Sequence, residues 1–146
     1  MIISGVIGEQ AHRFGVAWVL LCIALAVHVV DEAATDFLSV YNPTVQAVRK
    51  RFPFLPLPVF SFRVWLTGLC VAILLAFCLS PLAFRGRCFV IGISFPLAVL
   101  MFGNALGHIG ASAYQKRIVP GSWSAPLLLF AAVYLFVCAV RLARGP

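Results

Sequence analysis

The chain has 146 residues, of which 63% are hydrophobic and 10% charged, with a formal net charge of +7 and a mean hydropathy of +1.07. Soluble domains are about 45–50% apolar and about 25% charged, so this composition excludes a soluble enzyme and gives an integral membrane protein. The basic residues sit between apolar runs, which points to anionic lipid headgroups as partners and to no nucleic acid.

A crossing of the bilayer takes about 20 residues. The length therefore accommodates four helices with short connections, and the expected fold is an all-α membrane protein. It is a bundle of four transmembrane helices forming a single domain over residues 1–146. Residues 1–12 are a short, mildly polar lead bordered by Glu9, His12 and Arg13. Phe14 to Val30 carries no charge. We read it as the first span rather than a signal peptide, because it is long, acidic residues follow it and three further spans come later. The helix is expected to run on to about residue 37.

Residues 38–60 are the longest connection. Asn42-Pro43 is a turn or helix-start signal, and 44–52 is predicted to be a short interfacial helix ending in Arg49-Lys50-Arg51. The FPFLPLP segment that follows has prolines at 53, 56 and 58 and cannot be a regular helix interior. It is expected to form an interfacial proline-rich loop between helices 1 and 2. The second span is predicted at about 63–80, with Arg63 snorkelling to headgroups and Ser80-Pro81 marking its end. After the basic turn Arg85-Gly86-Arg87 comes the third span, about 88–114, with a kink expected at Pro96. The fourth, about 123–141, opens at Trp123 as an interfacial anchor and closes on Arg141 and Arg144. Cys22, Cys70, Cys78, Cys88 and Cys138 contain no CxxC pair. An odd count of thiols, mostly inside apolar runs, argues against a disulfide framework or a cysteine metal site.

Chemistry concentrates in His28–Asp36, HVVDEAATD, which holds three of the four acidic residues of the chain. On a helix, His28, Asp31 and Glu32 stand at i, i+3 and i+4 and share a face, which Thr35 and Asp36 extend. The second half of the third span carries two stripes. Asn104, His108, Ser112 and Gln115 are polar. Gly103, Gly107 and Gly110/Ala111 are small, a pattern that lets transmembrane helices approach closely. The first and third spans run in the same direction, and His28 lies nearly as far beyond Arg13 as Asn104 beyond Arg87. At ~1.5 Å rise per residue the two polar stripes share a depth. With the glycine stripe packing span three onto span one, His28, Asp31, Glu32, Asn104 and His108 are expected to form one site.

The order His28-Val-Val-Asp31-Glu32, then Asn104-Ala-Leu-Gly-His108, then Pro120-Gly121 resembles the family of small membrane proteins named for its HXXEE motif. The resemblance covers about residues 12–140. Asp31 stands where the motif has its first glutamate, which keeps the charge and shortens the reach by one methylene. The resemblance implies a compact multi-helix membrane protein whose marked residues form one site; it implies no reaction.

Two histidines and a carboxylate are a ligand set of open catalytic metal sites, so His28, Glu32 and His108 are candidate ligands for Zn²⁺ or Fe²⁺, with Asp31 or Asn104 in support. A metal-free site, in which Glu32 and a histidine move protons on an apolar substrate as an isomerase or cyclase does, is the other enzymatic reading. Both imply a lipid-like or apolar small-molecule substrate. A proton- or ion-coupled carrier uses similar residues, though four spans without clear repeats would need a homo-oligomer. A structural subunit of a membrane complex is the third class. Without any of these functions, the acids would be interfacial and paired with Arg49 or Arg117, His108 and Asn104 would only bond between helices, and the glycines would only pack. A multi-pass protein of the plasma (inner) membrane is expected. The basic residues are nearly balanced between its two faces, and the Arg49-Lys50-Arg51 run favours a cytoplasmic site side.

Overall fold

A computed structural model describes residues 2–145, with side chains from Ile7 onward. Among these residues six helices follow one another: α1 Ile2–Ala34, α2 Phe37–Arg51, α3 Phe62–Cys78, α4 Ser80–Phe84, α5 Cys88–Gln115 and α6 Ala125–Arg144. Among the described residues there is no strand. Ile7–Ala34, Phe62–Phe84, Cys88–Gln115 and Ala125–Arg144 are long and apolar enough to cross a membrane. The protein is thus a multi-pass, all-helical membrane protein.

Helix α6 is the hub. Leu128, Ala131, Ala132, Leu135 and Ala139 recur every three or four residues and are all buried, so one stripe of the helix faces inward. Three of those five are alanines, which let α1 and α5 approach α6 closely, and α6 packs against both. From α1 the core receives Phe14, Ala17, Trp18, Leu21 and Cys22; from α5, Val90, Ala98 and Ala105. Trp18 is 1% exposed, and its indole N–H donates to the Ala76 carbonyl of α3 at 2.8 Å. That satisfies a polar atom that would otherwise be stranded in the core. The Phe84 ring of α4 lies where a side chain at Gly15 would stand, fixing α4 against α1.

A second, smaller cluster gathers Val29 of α1, Leu38 of α2, and Trp65 and Ile73 of α3, with Phe37, Tyr41 and Phe60 packed around them. It clamps α2 and α3 beside the end of α1 where the acidic residues lie. The proline-rich segment is non-helical, with Phe54 and Val59 exposed. Asn42 holds it: its side-chain N–H donates to the Phe60 carbonyl at 2.9 Å and its oxygen accepts the Phe60 N–H at 3.1 Å.

Four local expectations change. The first helix starts at Ile2 and stops at Ala34, short of residue 37. Thr35 closes its last turn through hydroxyl and amide bonds to the Asp31 carbonyl, and Asp36 then adopts a left-handed conformation, φ 56° and ψ 53°, which Asp tolerates better than most residues. The interfacial helix consequently starts at Phe37, not residue 44, and carries Pro43 inside it; the exposed side of α2 accommodates the missing N–H. Ser80-Pro81 does not end the second span, because α4 continues past a break at Leu79 with Pro81 in its first turn, where proline costs least. Finally, the glycine stripe does not dock α5 on α1. A Cβ added at Gly103, Gly107 or Gly110 meets nothing within 4 Å, and α6 carries the principal contacts of both helices.

Replacing Trp18 by Ala removes the largest fully buried side chain and the indole bond to the Ala76 carbonyl, which keeps the Leu79 N–H. Unfolding of the detergent-purified variant should report a loss of about 3–5 kcal/mol; a loss under about 1 kcal/mol would contradict this packing.

Candidate functional site

The site forms where the end of α1, the middle of α5 and the turn before α6 meet. His28 is fully buried, Glu32 4% and His108 6% exposed. One helical turn of α1 carries His28 and Glu32 on the same face, so Glu32 Oε1 lies 3.5 Å from His28 Nε2 and 3.0 Å from His108 Nε2. The two imidazoles meet edge to face, with centroids 4.8 Å apart. Phe37, the first residue of α2, covers the His108 ring at 5.4 Å between centroids.

The outer hydrogen bonds fix which way each ring faces. His108 Nδ1 lies 2.6 Å from the Pro120 carbonyl oxygen, an acceptor only, so Nδ1 bears the hydrogen and donates it. His28 Nδ1 lies 2.8 Å from Ser124 Oγ. That hydroxyl spends its single hydrogen on Asp31 Oδ2, 2.7 Å away, so His28 Nδ1 must donate to it. Both rings therefore turn Nε2 inward. Asn104 Nδ2 lies 3.2 Å from His28 Nε2 and donates to it. The His28, Glu32 and His108 ligand atoms lie within 4.8 Å of one another, and this cluster can hold a metal ion.

The turn between α5 and α6 is built around these contacts. Gly121 has φ +82°, and a Cβ there would stand 2.7 Å from His108 Cε1 and 3.0 Å from Glu32 Cγ, so both backbone and space demand glycine. Ser112 Oγ shares a hydrogen bond of 2.6 Å with Ser122 Oγ and accepts the Val119 N–H, tying the turn to α5. Ser124 precedes α6, and its N–H donates to Asp31 Oδ2 at 2.9 Å. The Asp31 carboxylate thus sits at the N-terminus of α6, where negative charge is favoured.

All five expected residues converge, in two layers. His28, Glu32 and His108 point inward and Asn104 touches His28, whereas Asp31 faces Ser124 rather than the other ligands. Neither Asp31 nor Glu32 pairs with Arg49 or Arg117 among the described residues; Asp36 is exposed. Gln115 leaves the polar stripe and accepts from Arg117 Nε at 2.9 Å. Sequence reasoning misses Ser124, which falls inside the predicted fourth span, and misses the ring-orienting role of Pro120. A hydroxyl next to the first turn of a span, at the depth of an acidic cluster, is the signal that could have found Ser124.

Ser124→Ala should strand the His28 Nδ1–H and remove one of two donors to Asp31. A loss of about 1–3 kcal/mol follows from leaving such groups unpaired, measurable by thermal unfolding in detergent. Ser124→Thr, which keeps the hydroxyl, should lose less; equal losses would deny the hydroxyl its role.

No curated protein and no solved structure matches the chain. The family model described as "Protein of unknown function with HXXEE motif" matches residues 19–135. That span includes every residue of the cluster, and the chain belongs to the HXXEE-motif family.

Proposed function

We propose that His28, Glu32 and His108 form a divalent-metal centre, of the zinc or iron type, in an intramembrane enzyme acting on a lipid-like substrate. One observation carries the reading. Both histidines spend their Nδ1–H on outward acceptors, so each turns an unprotonated Nε2 toward Glu32 Oε1; the His28 lone pair accepts the Asn104 N–H, which a cation would have to displace. Three acceptors facing each other repel unless a proton or a cation lies between them. Metal-bound histidines characteristically donate their other N–H to a carbonyl or a carboxylate-linked group. Here the Pro120 carbonyl and the Ser124–Asp31 pair fill those places. A zinc–ligand distance of about 2.0–2.1 Å with tetrahedral angles puts ligand atoms roughly 3.3 Å apart; the two nitrogen–oxygen separations, 3.0 and 3.5 Å, bracket that value, and all three atoms lie within the looser bound of 4.8 Å.

Bound there, a divalent cation would supply Lewis acidity and a water made acidic enough to react. The chain's own residues do the remainder. His28, Glu32 and His108 would hold the cation; the Asn104 N–H, which meets His28 Nε2, would give way to it; Phe37 covers the His108 ring. Two clefts reach the cluster from the sides. One, of ≈ 430 Å³, runs between α2 and α5 and reaches His108. The other, of ≈ 380 Å³, lies against α3 and reaches Glu32. Phe14, Trp18, Leu21 and Leu128 pack the core toward the opposite face with at most 1% exposure. That dense core among the described residues supports an enzyme over a carrier.

A second, metal-free reading draws on the 3.0 Å contact of His108 Nε2 with Glu32 Oε1, which suits a shared proton and acid–base catalysis. Elemental analysis of detergent-purified protein separates the two. Near-stoichiometric zinc or iron is expected, abolished in His28→Ala and His108→Ala and reduced in Glu32→Gln, with Ser124→Ala weakening affinity about 10–100-fold. A folded wild-type protein that takes up neither metal on titration would sink the metal centre and leave proton transfer.

A further inference from the structure

We infer that the substrate is a single-chain amphiphile with an anionic headgroup, lying in the cleft between α2 and α5 with its chain passing His108. This inference rests on reading the cluster as a catalytic site. The ≈ 430 Å³ cleft is walled by Phe37, Val40 and Tyr41 on one side and by the bare backbone at Gly103 and Gly107 on the other. Both glycines belong to a helix long and apolar enough to span the membrane, so the cleft is reached from within the bilayer. They stand about one turn apart and leave a strip of the helix without side chains. The space they leave is unused by the protein, since a Cβ at either would meet nothing within 4 Å.

The cleft is lined mainly by apolar side chains and glycine backbone, with Thr44, Asn104, His108 and Gln115 as its polar members. Gln115 is its last residue on α5, and Lys116 and Arg117 follow at once in the chain, both exposed. Among the described residues neither cation pairs with a carboxylate: the ion pairs are Arg13–Glu9 and the two histidines with Glu32. Unneutralised cations beside an apolar trough complement an anionic head on an apolar chain. The seven residues from Gln115 back to His108 span roughly 10 Å of helix. The head would therefore rest at the cationic rim while a point roughly 10 Å along the chain meets the cluster.

The test uses a long-chain fatty acid bearing a mid-chain photoreactive diazirine, added to the full-length protein in nanodiscs and mapped by mass spectrometry. Labelling is expected on the Gly103–Ala111 segment or on Phe37–Thr44, displaced by unlabelled fatty acid and at least about tenfold less well by its methyl ester. Gly107→Leu and Gly103→Leu, at positions where a Cβ has room, fill the trough and should each cut labelling about tenfold, with metal content and unfolding temperature unchanged. Gly68→Leu, which fills the adjoining cleft instead, should leave labelling intact. Undiminished labelling in both trough variants, equal labelling of the lipid-facing residues Leu74 and Phe130, or equal competition by the methyl ester would each overturn the inference. Trough labelling in a protein that binds no metal would support it while removing the metal centre; metal without trough labelling would do the reverse.

Discussion

The site depends on one chain of hydrogen bonds, Asp31 to Ser124 to His28. Asp31 accepts both the amide and the hydroxyl of Ser124, and the hydroxyl, its hydrogen committed, accepts His28 Nδ1–H. Three consequences follow. The end of α1 is pinned to the start of α6. The His28 ring is held in one orientation with Nε2 inward. The half-buried Asp31 carboxylate is satisfied by oriented N–H and O–H groups rather than by a cation. The motif departure at Asp31 fits this role, because Asp31 bonds to Ser124 and does not reach the inward ligand atoms.

Cost explains why such a cluster must be fully bonded. A charged residue at membrane depth costs about 2.5–3.5 kcal/mol on insertion scales, comparable to a large share of a domain's net stability. Here every cluster residue has a partner: Pro120 for His108, Ser124 for His28 and Asp31, and Asn104 for His28. Glu32 alone has only the two imidazole nitrogens. The inward centre is thus the one place where the network asks for something more, a proton or a cation, and the outer bonds hold the three ligand atoms in readiness for it.

Much of this was legible in the sequence, for physical reasons. Period and length gave four spans, since hydrocarbon tolerates few alternatives to helices. The i, i+4 spacing put His28 and Glu32 on one face, and matched depth put Asn104 and His108 opposite them. What failed depended on tertiary packing. Depth says nothing about which helices touch, so the intervening α6 was invisible, and the glycines of α5 were assigned to a helix contact when they line a cleft. The break at Asp36 was equally hidden, because nothing local distinguishes a residue that turns left-handed from one that continues a helix. Ser124 matters through Asp31 and His28, 93 and 96 residues away, and Gly121 through its closeness to His108 and Glu32, beyond any local pattern.

The central claim is that the three inward atoms are ligands. X-ray absorption at the metal edge of the purified, metal-loaded protein tests it most directly. The account predicts a first shell of nitrogen and oxygen at about 2.0–2.1 Å, with the outer-shell scattering of two imidazoles, reduced to one in His108→Ala. A shell containing sulfur from the cysteines, or one unchanged by loss of either histidine, would contradict it.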